Sequence, residues 1–217
     1  MSDIFHEVDE EVRREQLKKL WERYQNYVVA LAIAAVLGVG GWRAWDWWEV
    51  KKAAETGAAF EAAATLAEEG KHADAEIAFA EIASKGTSGY RALARVRQAA
   101  ELAQRDRQIG IAAYEKIASD KSIGPVLQDL AGLRAGALLV DAGSFDIARA
   151  RLEPLAAEGR PFHHSARELL ALAAWRAGDT AAVQRWTDII MADPQTPQST
   201  RSRVEMLVAL VAAGSKG

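Results

Sequence analysis

Tyr27–Trp42 (YVVALAIAAVLGVGGW) is a run of sixteen residues with no charge and no strongly polar side chain, and no other stretch of the chain resembles it. As a helix it would extend ~24 Å at 1.5 Å per residue, short of the ~30 Å hydrocarbon core of a bilayer. The flanks make up the difference. Trp21, Tyr24 and Tyr27 stand at one end and Trp42, Trp45, Trp47 and Trp48 at the other. Amphipathic rings are thus placed at both ends, where lipid headgroups would lie. A helix buried in a soluble core has no use for two aromatic girdles. A cleaved secretory leader fits no better: the 26 residues before the run carry seven acidic side chains, and it is followed by Arg-Ala-Trp-Asp-Trp-Trp rather than a small-residue cleavage site. The run predicts one retained transmembrane helix, residues 27–48, in contact with the lipid bilayer.

Basic residues near the membrane set orientation. Arg13, Arg14, Lys18, Lys19 and Arg23 precede the span, against Arg43, Lys51 and Lys52 after it. The bias predicts that residues 1–26 are cytoplasmic and that residues 49–217 lie across the membrane. Within 1–26, Ile4, Phe5, Val8 and Val12 recur at helical spacing, continued by Leu17 and Leu20. Such a stripe fits either a solvated extension of the anchor or a short docking helix. Ala30, Ala34 and Gly38 form a small-residue ridge of the kind that lets membrane helices approach, though alanine-rich spans also contain such ridges by chance.

From residue 43 onward the chain has 22 basic and 23 acidic residues, so it offers no clustered basic face for nucleic acid. It has no cysteine, which excludes disulfides, thiolate metal sites and cysteine nucleophiles.

Residues 50–213 read almost wholly as helix, rich in Ala, Leu, Glu and Arg, with no alternating β-branched run. Breaks fall at Gly70, 84–89, 105–106, 119–125, Gly143, 159–161, Gly178 and 193–197. A small-x-x-x-large-x-x-aliphatic pattern occurs four times between them, as Ala75/Phe79/Ile82, Gly110/Tyr114/Ile117, Ala148/Leu152/Leu155 and Ala182/Trp186/Ile189. Successive copies are 35, 38 and 34 residues apart, and a turn precedes each by about five residues. That period is the tetratricopeptide arrangement. The small side chain lets the two helices of a hairpin cross closely, and the large one fills the space toward the next hairpin. The first helices carry a looser version in Phe60, Ala64 and Leu66, then Ala99 and Leu102, Gly136 and Leu139, and Ala171 and Ala174. Pro154 should shorten or kink the second helix of the third repeat. The last helix, 198–213, places Val204, Leu207, Val208 and Val211 on one face, as a capping helix requires. The expected fold is all-α: an amino-terminal helix continuing into one transmembrane helix, then an α-solenoid of about four hairpins with a cap.

No catalytic constellation is present in this pattern. Gly-Val-Gly-Gly at 38–41 lies inside the apolar run rather than after a strand, and Gly-x-Ser-x-Gly is absent. His163 and His164 are adjacent and so point about 100° apart on a helix. A solvated helix start explains them, and Glu168 is the one co-ligand expected within reach. No enzyme activity, cofactor, metal or small-molecule substrate is expected. A solenoid without catalytic groups holds other polypeptides, and its groove should be lined by the first helices, with Arg91, Arg95 and Arg134 as candidate contacts.

The charged amino-terminal segment containing Leu-Trp-Glu-Arg-Tyr (20–24), the single span ending in Gly-Gly-Trp-Arg-Ala-Trp (40–45), and the helical repeats resemble the YfgM-like ancillary subunits of the bacterial Sec translocon. The resemblance implies an inner-membrane protein with a periplasmic repeat domain. It also implies contacts with the translocon and with a membrane-anchored periplasmic chaperone, helping exported polypeptides pass to chaperones. Two other roles share the same anchor and repeats: a scaffold for envelope assembly, and restraint of a stress-response regulator through the cytoplasmic segment.

Overall fold

A computed structural model of the chain describes the backbone of residues 3–214 and the side chains of Lys18, 21–27 and 29–213. The stripe Ile4, Phe5, Val8, Val12, Leu17 and Leu20 lies outside the described side chains. Nine α-helices and two short 3-10 turns make up the structure, with no strand among the described residues. The chain divides into two compact units, residues 1–54 and 55–217.

The first unit is one helix, part of α1, Asp3–Glu68. Its apolar stretch is long enough to cross a membrane, and none of it is buried. Residues four apart share a helix face, which pairs the interfacial side chains. The Lys51 ammonium lies 5.4 Å from the Trp47 ring centre and that of Lys52 lies 5.2 Å from Trp48, within cation–π range. The Trp45 and Trp48 rings are 5.8 Å apart and Tyr24 and Tyr27 6.5 Å apart. All seven expected interface aromatics are exposed.

The second unit is a stack of hairpins. The end of α1 pairs with α2 (His72–Lys85), and the Phe60 and Phe79 rings meet edge to face at 5.2 Å. α3 (Ser88–Arg105) pairs with α4 (Arg107–Ala118), α5 (Pro125–Asp141) with α6 (Phe145–Leu152), and α7 (His163–Arg176) with α8 (Thr180–Ala192). α9, Gln198–Gly214, follows. Each second helix also packs on the next first helix: α2 on α3, α4 on α5, α6 on α7 and α8 on α9. Apolar clusters therefore recur along the stack, each joining helices of neighbouring hairpins.

Three of the four hairpin turns close identically. Gly70, Gly143 and Gly178 have φ of 76°, 77° and 76°, a region only glycine adopts without a steric penalty. The N–H of the residue after each glycine donates to the carbonyl five residues back, Lys71 to Leu66, Ser144 to Leu139 and Asp179 to Ala174. The glycine N–H itself donates three back, completing a Schellman stop that satisfies the last helical carbonyls. The second hairpin has no glycine there. Asp106 turns the chain in extended conformation, and its carboxylate accepts from the N–H groups of Gln108 and Ile109 at 2.8 and 3.2 Å. Proline sets the other irregularity: α6 stops at Leu152, and Glu153–Leu155 around Pro154 tightens into a 3-10 turn.

Ala75, Phe79 and Ile82 are buried with Ala63 and Ala94, and Tyr114 and Ile117 with Ala99, Ala131 and Ala135. Gly110 is buried on α4. Ala148, Leu152 and Leu155 join Leu133, Leu139 and Leu170. Fully burying a side chain such as Phe79, Leu152 or Leu170 contributes about 1.5–3 kcal/mol.

The fourth copy of the pattern is corrected by one residue. Ile189 is 38% exposed, Trp186 is half-buried, and the buried set of α8 is Ala182, Val183, Thr187 and Ile190. The turn explains the shift. Ala75, Gly110 and Ala148 each donate a backbone N–H to the carbonyl of the residue just before their helix, namely Lys71, Asp106 and Ser144, and in α8 the residue so placed is Val183, donating to Asp179. The equivalent triplet is Val183/Thr187/Ile190. α9 also departs from expectation, because Val204 and Leu207 are buried and Val211 half-buried but Val208 is 45% exposed.

Candidate functional site

The first helices α5 and α7 face each other across a cleft of about 390 Å³. Leu130, Leu133, Arg134 and Ala137 come from α5 at a helical spacing of three and four, so one face of that helix lines it. Phe162, Ser165 and Leu169 line the opposite wall at the same kind of spacing. The lining is mainly apolar with a charged margin. Arg203 of α9 holds Glu168 through two parallel hydrogen bonds, Nη2 to Oε2 at 2.7 Å and Nε to Oε1. That bidentate pair stabilises the charged guanidinium and raises its pKa. Arg134 is exposed and has no ion pair among the described residues. Its field opposes the burial that raises the Tyr114 pKa, so it stands near the joint of the second and third hairpins.

The three arginines expected in the groove separate into different roles. Arg95 donates to the Asp120 carboxylate at 2.7 Å and ties α3 to the turn after α4. Asp120 in turn accepts from the Ser122 hydroxyl and backbone N–H. The Ser122 hydroxyl first, then Arg95, lower its pKa from 3.8 to about 2. Arg95 is thus a packing residue. Arg91, one turn earlier on α3, is exposed, and Arg134 is the one that lines the cleft. The apolar residues Leu133, Phe162 and Leu169 were not among the expected contacts. Their spacing on the two first helices was the available signal.

The two adjacent histidines are not a solvated helix start. Their side chains are only 14% and 17% exposed, and their ring centres are 3.8 Å apart. The co-ligand in reach is Asp193 rather than Glu168, with its Oδ2 3.8 Å from both His163 Nε2 and His164 Nδ1. Asp193 arrives from the turn after α8, a tertiary contact that local spacing does not report. Arg167 also donates to Asp193, at 2.9 Å, and Arg201 caps α8 by donating to the Met191 and Asp193 carbonyls. The Arg167 guanidinium on the Asp193 carboxylate, with Arg201 on the main-chain carbonyl of the same residue, opposes a divalent cation. Burial first, and then the neighbouring His163, Arg167 and Arg201, push the His164 pKa below the ordinary imidazole value, with Asp193 acting the other way. The cluster works as a polar joint binding the start of α7 to the turn before α9.

Residues 18–185 match the family described as tetratricopeptide repeat-like domain. No curated protein and no solved structure matches the chain.

Proposed function

The chain belongs to the tetratricopeptide repeat-like domain family, and from that we propose that it is a membrane-anchored, non-catalytic module whose α5/α7 cleft holds partner polypeptides. The observation that carries this reading is the cleft itself: an apolar lining on the inner faces of two first helices with the exposed Arg134 at its margin. α1 anchors the module through residues 27–48, with residues 1–26 in the cytoplasm and the hairpins in the periplasm. The module is an ancillary subunit of the Sec translocon that helps pass exported polypeptides to a membrane-anchored periplasmic chaperone. The paired girdles of Trp and Tyr, the excess of basic residues before the span and the Gly-Gly-Trp-Arg-Ala-Trp motif support this finer assignment.

A photo-crosslinking residue placed at Arg134 or Ser165 in whole cells tests it, with Gln104 on α3 as a control position. The expected adducts from the cleft positions contain translocon subunits, the chaperone or exported chains. Identical adducts from the control, or none of these proteins from the cleft, would overturn the assignment. A reporter active on one side of the membrane only, fused after Gly217, reads the orientation independently.

A further inference from the structure

The hairpin stack has an open step at α9. α8 packs on α7, and Phe145 of α6 joins Ala171, Ala174, Ala182 and Val183 in one apolar cluster there. α9 packs on α7 and α8, the position of a fifth first helix. Among the described residues no helix occupies the angle between α8 and α9, which is an open groove of about 680 Å³. Thr187 and Val204 form its floor at 3% and 1% exposure, and Met191 and Val208 its walls at 39% and 45%. Its charged lining residues, Asp188 and Glu205, are both acidic. The nearby bases are engaged elsewhere, Arg201 at the end of α8, Arg203 on Glu168 and Arg185 over the Trp186 ring at 5.2 Å.

We propose that this groove receives, in trans, a basic amphipathic helix of a partner protein, which takes the place of the second helix of a fifth hairpin. The repeat sets the dimensions of that helix. α2, α4 and α8 are 14, 12 and 13 residues long, and each presents one apolar stripe to the first helix it covers. A helix of this length with a small-x-x-x-large-x-x-aliphatic stripe fills the groove, and Lys or Arg beside the stripe faces Asp188 and Glu205. The acidic rim selects the charge of the partner and its docking direction. α9 is also unlike the cap of a finished solenoid, whose outer side is polar, since it leaves Met206 and Leu210 60% and 55% exposed. This surface is separate from the α5/α7 cleft and does not depend on it.

The probe is a fluorescein-labelled 14-residue peptide carrying that stripe with Lys and Arg elsewhere, beside a sister peptide with the same stripe and Glu in place of the bases. Binding to the full chain in zwitterionic nanodiscs is followed by anisotropy. The basic peptide binds saturably, and the acidic one at least about tenfold more weakly. Val208→Glu, and separately Asp188→Lys with Glu205→Lys, each weaken the basic peptide by about tenfold or more, while Gln104→Glu leaves it unchanged. These positions are exposed, and an unchanged melting curve shows that the variants are folded. Absence of binding, equal binding of both peptides, or indifference to Val208→Glu overturns the proposal. So does concentration-dependent dimerisation of the free chain that Val208→Glu abolishes, because the groove then belongs to a second copy.

Discussion

Gly110 of α4 lies so close to Ala103 of α3 that a Cβ built on it would stand 2.4 Å from the Ala103 Cβ and 2.5 Å from its Cα. The small position of the repeat is here a requirement of backbone approach, and the neighbour cannot move aside as a flexible side-chain tip could. Gly110→Ala is expected to destabilise the hairpin unit by about 1–3 kcal/mol through overpacking, despite the gain in helix propensity of ~1 kcal/mol. Gly89→Ala on α3, where a new Cβ meets nothing within 4 Å, should be neutral or mildly stabilising. Denaturant midpoints of the two variants give the comparison, and equal effects would contradict it.

The one-residue rotation of α8 makes a sharper test. Ile190 is 0% exposed and Ile189 38%. Ile190→Ala should lose about 2–5 kcal/mol, in the range of buried large-to-small substitutions, and Ile189→Ala a small fraction of that. The reverse order in thermal unfolding would restore the register read from the sequence.

Asp129 is buried, and Arg160 donates to its Oδ1 while Oδ2 has no hydrogen-bond partner. Removing the guanidinium leaves a carboxylate short of compensation. Arg160→Ala is expected to cost about 1–3 kcal/mol, and adding Asp129→Asn to recover part of it. A double-mutant cycle measures the coupling directly.

Acid stability should carry the signature of Asp120. Its pKa is lower in the folded chain, about 2 against 3.8, so its contribution is fully present above pH 3.8 and is lost as pH falls through about 2. Asp120→Asn is expected to flatten the dependence of stability on pH between about 4 and 2. A slope unchanged by the substitution would place the acid sensitivity elsewhere.

Much of the fold was legible because helix ends are local. Gly70, Gly143 and Gly178 stop their helices with hydrogen bonds inside six residues, so each turn is readable from neighbouring side chains. The five-residue offset from turn to packing position, applied strictly to Gly178, leads to Val183 and would have corrected the fourth repeat. Alanine at 182 looked like the small residue of the pattern, and composition outweighed the spacing.

The site was less legible. Arg91, Arg95 and Arg134 are alike in the sequence, and only the approach of Asp120 commits Arg95 to a packing contact while Arg134 lines the cleft. His163 and His164 gain their meaning from Asp193 and Arg167, brought beside them by the turn after α8.

By itself the sequence determined the length and apolarity of the one candidate span, the helical class, the hairpin period and the places where helices stop. Each of these follows from composition or from contacts within a few residues. Tertiary structure decided which of the three groove arginines is committed to a packing contact, the partners of His163 and His164, and the groove left between α8 and α9. Those depend on residues of different elements meeting in space, as Arg95 meets Asp120 and Arg167 meets Asp193, 25 and 26 positions apart. Packing geometry sets such meetings, and local periodicity does not carry it.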